Sequence, residues 1–431
     1  MMTASLLILL LTFLILLGLR VPIAFSIGLS GLLVLLLNIP ADIAFTTFAQ
    51  RMATGLDSFT LTAIPMFILA GELMNRGGMA TRLINLARVL LRRLPGGLMH
   101  VNILACMLFG AISGSAVAAA SAIGGFMTPQ MEKEGYSRES SAATNIASSV
   151  TGLIIPPSNV LIIYAMASGG ASIAALFLAG YLPGLLLGLA LMIVVALCFK
   201  KSPAHAAAAA DGNPWRDFLE ALPSLFLLVL IIGGIVSGIF TATEASAIAV
   251  LYAFILALVI YKELDWAGLR QVLISSGQTT GIVMLLIAGS AAMSWVMSYE
   301  HIPQQVSDTL LGISDNKIAI LLMINLILLL VGTFMDITPA ILIFTPIFLP
   351  VVQNLGVNTV HFGMIMVMNL CIGICTPPVG SVLFVGSSVA GLKIQQVIRP
   401  LLPLFVAMLL VLMLVTFIPD LSLWIPRIFG F

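Results

Sequence analysis

Three observations predict an all-α polytopic membrane protein made of two inverted repeats, with two re-entrant hairpins and two broken helices. The first is composition. The 431 residues are 61% hydrophobic and 8% charged, with a mean hydropathy of +1.18. This excludes a soluble globule. The second is a pair of interruptions inside apolar segments, Gly152–Asn159 and Gly373–Gly380, each with two adjacent prolines. Proline cannot donate to the carbonyl four residues back, and it disfavours helix at the residue before it. Backbone opened this way survives at membrane depth only inside protein or along a wet cavity. The third is internal repetition. A shift of 221 superposes Pro129 on Pro350, Gly135 on Gly356, Gly152 on Gly373, Pro156-Pro157 on Pro377-Pro378 and Gly170 on Gly391.

Taken in order, the apolar segments are roughly 3–19, 22–38, 58–75, 98–131, 138–168, 171–199, 218–240, 243–262, 275–299, 317–352, 358–390 and 394–418. The run Leu6–Leu17 has no basic residue before it and no evident cleavage site, so it reads as a retained first span. The stretch Lys200–Pro214 is the one linker-like segment. It gives a first repeat over 1–199, a cytoplasmic linker over 200–217, a second repeat over 218–418 and a tail over 419–431. Cys106, Cys198, Cys371 and Cys375 show no metal-ligand spacing and read as reduced packing residues.

Segments 98–131 and 317–352 are interrupted by Gly110–Ser115 and by Gly332–Pro339. Two full crossings need about 40 apolar residues plus a turn, so each is expected to dip to mid-membrane and return. Each half then crosses an odd number of times, and the second half enters from the opposite side. Inverted repeats with broken helices at the midplane are the pattern of secondary transporters. Charge placement agrees. Arg20, Arg76, Arg82, Arg88, Arg92, Arg93, Lys133, Arg138, Lys200, Lys201, Arg216, Lys262, Arg270, Lys393 and Arg399 share one side, leaving Arg51, Lys317 and Arg427 from a total of 18. The positive-inside rule makes the richer side cytoplasmic and puts both termini outside. The amphipathic stretch Gly77–Leu94 is expected along the cytoplasmic interface, with Asp265–Leu273 as its repeat counterpart.

Each half thus brings one hairpin tip to one broken helix. In the first, the Ser113 and Ser115 hydroxyls can face carbonyls around Ile155–Pro156 and the Asn159 amide. In the second, Thr333, Asp336 and Thr338 can face Ile374–Thr376 and Gly380. Carbonyls and hydroxyls suit a hard cation such as sodium, whereas a proton relay wants carboxylates or histidines. For Asp336 two readings stand, a cation ligand and an N-cap for the returning helix. Glu72 and Glu244 read as capping or packing residues at span ends. The half-helix N-termini after Ser158 and Val379 direct positive dipole ends to the midplane and suit an anion. No Arg or Lys lies in the tips or breaks, so backbone amides and hydroxyls around Gly114, Ser158, Thr338 and Pro378 would hold it.

The stretches GAISGSAVAAASAIG, EGYSRESSAATNIASSVTGLIIPPSN, SIAALFLAGYLPGLL, GIFTATEASAIAVLYA and MDITPAILIFTPIFLPV with GICTPPVGSVLFV resemble the large membrane subunit of tripartite ATP-independent periplasmic (TRAP) transporters. The resemblance covers nearly the whole chain. It implies an elevator-type ion transporter in the bacterial inner membrane, driven by sodium ions as coupling ions and by no other cofactor. It also implies two partners, a small four-helix membrane subunit as a separate chain and a periplasmic substrate-binding protein. Membrane lipids are its surroundings, and nucleic acid is not an expected partner. By the same resemblance, Ser113, Ser115 and Pro156 with its neighbours are one sodium-site set, and Asp336 with Thr376 and its neighbours the other. The expected cargo is a small organic anion such as sialic acid, a C4-dicarboxylate or a sulfonate. The alternative is a self-sufficient ion-coupled carboxylate transporter. An enzyme is not expected, because no polar catalytic constellation is visible.

Overall fold

A computed structural model describes residues 4–91, 97–199, 214–314, 316–377 and 379–431. Pro378, the basic residues Arg92 and Arg93, and nearly all of the expected linker lie outside the described residues. Helices follow one another throughout: α1 Ala4–Gly18, α2 Ile23–Asn38, α3 Ala41–Leu56, α4 Ala63–Arg76, α5 Met79–Leu91, α6 Gly97–Ser113, α7 Ala116–Lys133, α8 Arg138–Ser149, α9 Thr151–Ile154, α10 Asn159–Ala167 and α11 Ile173–Cys198. The second half contributes α12 Pro214–Val236, α13 Ala242–Ile255, α14 Trp266–Tyr299, α15 Ile302–Ile313, α16 Lys317–Phe334, α17 Ile337–Asn354, α18 Thr359–Gly373, α19 Ser381–Val389, α20 Ile394–Phe417 and α21 Asp420–Ile428. By length and apolarity seven helices can cross a membrane, or nine if each bent pair counts as one span.

Local sequence explains many of the boundaries. Ser115, Ser137, Ser172, Asp265, Asn316 and Asn358 each accept a backbone N–H at a helix start. Thr241 and Glu244 form a capping box on α13, the role the sequence suggested for Glu244. The glycines matched by the 221-residue shift have matched backbone jobs. Gly135 and Gly356 end the hairpins at φ 90° and 70°, and Gly170 and Gly391 end the broken helices at 114° and 64°. A side chain is strained at such angles, so the repeated glycines mark the same turns twice.

Several elements depart from the sequence reading. The unassigned stretch after residue 38 is α3, which meets α4 through a short 3-10 turn at a bend of 63°. Its repeat counterpart is the beginning of α14, because Asp265–Leu273 runs into the following span as one 34-residue helix. The counterpart of α5 is therefore α15, which also sits between a span and a hairpin. The expected tail contains α21, a nine-residue helix packed on α11. Three cysteines are buried as expected, but Cys198, at the end of α11, is exposed.

The halves do not pack as separate units. The helices α1–α4 pack with α12–α14 as a framework, while α6–α11 pack with α16–α21 as a second body. Within that body α7 lies on α19 and α17 on α10, so each hairpin packs on the other half's broken helix as well as its own. The amphipathic helices α5 and α15 bridge body and framework. On α5, Arg82 donates to Glu263 at 2.7 Å and lies over the Tyr261 ring at 3.7 Å. Beside α15, Glu300 accepts from Ser5 at 2.6 Å, and its carbonyl accepts from Gln305.

Candidate functional site: hairpin tips seated on broken helices

The first hairpin turns at Ser113–Ser115 between α6 and α7, and its tip rests on the break between α9 and α10. Two glycine contacts allow the approach. A Cβ on Gly152 would lie 2.3 Å from the Gly110 Cα, and a Cβ on Gly114 would lie 2.8 Å from the Asn159 amide nitrogen. Gly114 also adopts φ 62° to close the tip. The Ser115 hydroxyl caps α7 by accepting from Ala118 N at 3.2 Å. Ser113 Oγ accepts from Ser115 N at 3.4 Å. At the break Pro156 and Pro157 stop α9, and the chain bends by 52° into α10. Ser158, fully buried, donates to the Leu153 carbonyl at 2.5 Å, so its oxygen can act only as an acceptor toward any further group. Helix α11 covers this break with glycines: a Cβ on Gly180 would lie 2.3 Å from the Ile154 carbonyl oxygen, and one on Gly184 would lie 2.4 Å from the Ile155 side chain.

The second tip repeats the plan with different polar groups. Gly332 and Gly373 meet nearly as closely as Gly110 and Gly152, with a built Cβ on Gly373 2.6 Å from the Gly332 Cα. Asp336 holds the N-cap position of α17, at the residue equivalent to Ser115, but its side chain makes no capping hydrogen bond. It is exposed at the tip, beside Met335 and Ile337, which are buried, and Thr338 is half-buried in the next turn. Of its two sequence readings, the position agrees with a cap and the bonding does not supply one.

The second break is more compact than the sequence suggested. Ile374 and Thr376 carbonyls, expected to be free, accept from Val382 N and Gly380 N at 3.2 Å each. These backbone bonds re-pair the two carbonyls instead of leaving them open, though each oxygen keeps a second lone pair. Gly380 is required there, since a Cβ would lie 2.5 Å from the Ile374 oxygen and 2.9 Å from the Thr376 oxygen. Helix α19 begins at Ser381 rather than directly after Val379. The Thr333 hydroxyl donates to the Leu330 carbonyl in its own helix at 2.7 Å, and that of Thr376, just past α18, to the Ile372 carbonyl at 2.8 Å. Their oxygens, like that of Ser158, are turned into acceptors.

Tip and break touch in both halves, yet no side-chain hydrogen bond joins them among the described residues. The sequence reading missed Ser381, whose buried hydroxyl at the start of α19 has no hydrogen-bond partner among the described residues. It also missed buried asparagines inside the apolar runs, Asn102, Asn145, Asn325 and Asn369. Isolated amides in such runs were the available signal, because polar side chains at membrane depth are expensive.

Comparison with known proteins places this arrangement. Residues 10–421 match the family model described as tripartite ATP-independent periplasmic transporter, DctM component. The chain is 55% identical over 423 residues to the uncharacterized protein YgiK of Salmonella typhimurium, covering 97% of this chain and 96% of that one. It is 40% identical over 409 residues to the sialic acid TRAP transporter large permease protein SiaM of Vibrio cholerae, with 95% of each covered. It is 42% identical to the isethionate TRAP transporter permease protein DctMQ of Oleidesulfovibrio alaskensis, covering 94% of this chain but 64% of that longer one. Among solved structures, the YdaH transporter of Alcanivorax borkumensis shares the fold at a TM-score of 0.63 and 16% identity, with 99% of each chain covered. The chain thus belongs to the DctM family, the large permease component of tripartite ATP-independent periplasmic transporters.

Proposed function

We propose that this permease carries a small organic anion into the cell with sodium ions, by movement of the hairpin-bearing body against the framework. The observation that carries this reading is the packing. Both tips and both breaks lie in one body built from both halves, and α5 and α15 join that body to the framework at two places. Such a body can move as a piece while the arms flex. The re-entrant depth of the hairpins, the inverted orientation and the external termini belong to the same proposal, supported by the fifteen-to-three charge split.

Sodium is favoured as coupling ion because each tip and break offers hydroxyl and carbonyl oxygens with lone pairs free. The ligand sets are Ser113, Ser115, Ile155, Pro156 and Asn159 in one half, and Thr333, Asp336, Ile374, Thr376 and Gly380 in the other. Gly114, Ser158, Thr338 and Pro378 with their neighbouring amides are assigned to the anion. The named cargoes of the relatives are isethionate, sialic acid, C4-dicarboxylate and 2,3-diketo-L-gulonate, all acids. A site without Arg or Lys holds such anions weakly, so delivery by a periplasmic binding protein is part of the proposal. A small membrane subunit is the second partner, and the extra length of the isethionate permease is consistent with such a subunit fused to it. Reconstitution with candidate partners from the same genome tests the whole reading. Labelled organic acids should accumulate only with an inward sodium gradient and the binding protein present. Uptake by the chain alone would favour the self-sufficient carboxylate transporter.

A further inference from the structure

Inside the hairpin-bearing body, each hairpin is tied to its own broken helix by buried asparagine hydrogen bonds. In the first half Asn102 on α6 donates to Ser148 Oγ on α8 at 2.9 Å, and Asn145 on α8 donates to the Ala120 carbonyl of α7 at 2.8 Å. In the second half Asn369 on α18 donates to Asn325 on α16, to its side-chain oxygen at 2.8 Å and its carbonyl at 3.1 Å. Asn325 in turn donates to Thr416 Oγ1 of α20 at 3.0 Å. The pairs correspond through the repeat: Ser148 and Asn369 differ by 221 residues, and Asn102 and Asn325 by 223. All of these side chains are buried. None of them belongs to the proposed ligand sets: Asn102 precedes the tip residue Ser113 by eleven positions, about three helical turns, and Asn369 precedes Ile374 by five.

We infer that Asn102–Ser148 and Asn325–Asn369 are positioning clamps that set the axial register of each hairpin against its broken helix, and so place each tip opposite its break. The inference rests on the proposed sodium sites for its purpose, but not for its geometry. Besides these bonds, α6 and α8 are joined by two long sulfur contacts, Thr144 to Met99 Sδ at 3.8 Å and Cys106 Sγ to Asn145 Oδ1 at 3.6 Å, and weakly bonded, largely apolar helix faces can slide with little penalty. A buried asparagine hydrogen bond specifies one register. A slip of one residue moves a tip by about 1.5 Å, enough to separate a hydroxyl from a cation shared with the break. The Gly110–Gly152 and Gly332–Gly373 contacts permit the approach, and the asparagine bonds choose where along the helices it happens.

The test uses the full chain in nanodiscs, with Asn102→Leu and Asn369→Leu as near-isosteric variants and Ser148→Ala as a milder one. Hydrogen–deuterium exchange is read at the two tips without sodium. Asn102→Leu and Ser148→Ala should speed exchange at residues 112–117 and leave 333–338 unchanged, and Asn369→Leu should do the reverse. Equal loosening of both tips, or of neither, overturns the inference. A second reading is the sodium chloride concentration for half-maximal thermal stabilisation, with choline chloride as control. It should rise about tenfold in each clamp variant, the order seen when outer partners of metal ligands are removed. A wild-type protein that sodium does not stabilise would overturn the sodium assignment while the tip-specific exchange still decides the clamps. A stabilised wild type with unshifted variants would overturn the clamps' role in placing the ligands.

Discussion

At single residues, the repeat places different chemistry on equivalent positions. Ser115 and Asp336 both start the returning arm of a hairpin, but the serine caps its helix and the aspartate makes no cap bond. In the proposed sodium site Asp336 is the acid that balances the cation, and on that reading Asp336→Asn should raise the sodium concentration for half-maximal uptake about tenfold. An unchanged sodium response at normal expression would leave the carboxylate without a part in coupling. Glycines carry the opposite lesson, since their value is absence of bulk. In Gly152→Ala the new methyl meets Gly110 backbone at 2.3 Å, and overpacking of this kind costs about 1–3 kcal/mol. A lowered melting temperature with lost transport is expected, and a variant as stable as wild type would show that α6 can step aside.

Among elements, the broken helices and the arms decide what the body can do. Each proline opposes helix by about 3 kcal/mol relative to alanine, so replacing Pro156-Pro157 with Ala-Ala lets α9 run on into α10. The carbonyls at the break would be consumed, and sodium-driven uptake should collapse while membrane insertion persists. Replacing Pro377-Pro378 should do the same in the other half, although the turn there already re-pairs two carbonyls. Near-normal uptake with either replacement would reduce that break to a kink. The arm α5 was legible from its stripe of arginines, whereas α15 was not. It carries no basic residue, and only its place between a span and a hairpin identifies it.

For the whole molecule, the proposed motion requires the body to part from the framework. Met297 on α14 and Phe344 on α17 line one apolar crevice of about 500 Å³ between them. Cysteines at both, bridged by a short thiol-reactive reagent, should stop transport and release it again on reduction. Transport that survives bridging would exclude sliding at this surface. The proposed topology, argued from the charge split, has both termini outside. An impermeant thiol reagent should therefore label a cysteine at Phe431 in intact spheroplasts, and labelling only after lysis would reverse the topology.

Sequence by itself determined the class and the repeat, because those depend on composition, span length and the spacing of Gly and Pro, and it gave the family through stretches that resemble the large permease. Hydrocarbon tolerates few alternatives, so paired prolines and turn glycines at equal spacing left a legible pattern. The tips and breaks were legible for the same reason: Ser113–Ser115 and Gly332–Pro339 interrupt runs that would otherwise continue as helix. Tertiary structure alone decided that the packing units are not the repeats, since α7 against α19 and α17 against α10 join residues far apart in the chain. It also decided that the second break closes on itself, through backbone bonds from Val382 and Gly380 that no residue type announces. The asparagine clamps belong to both levels. An amide inside an apolar run is visible in the sequence, but its partner on another helix depends on register, which only the packed helices define.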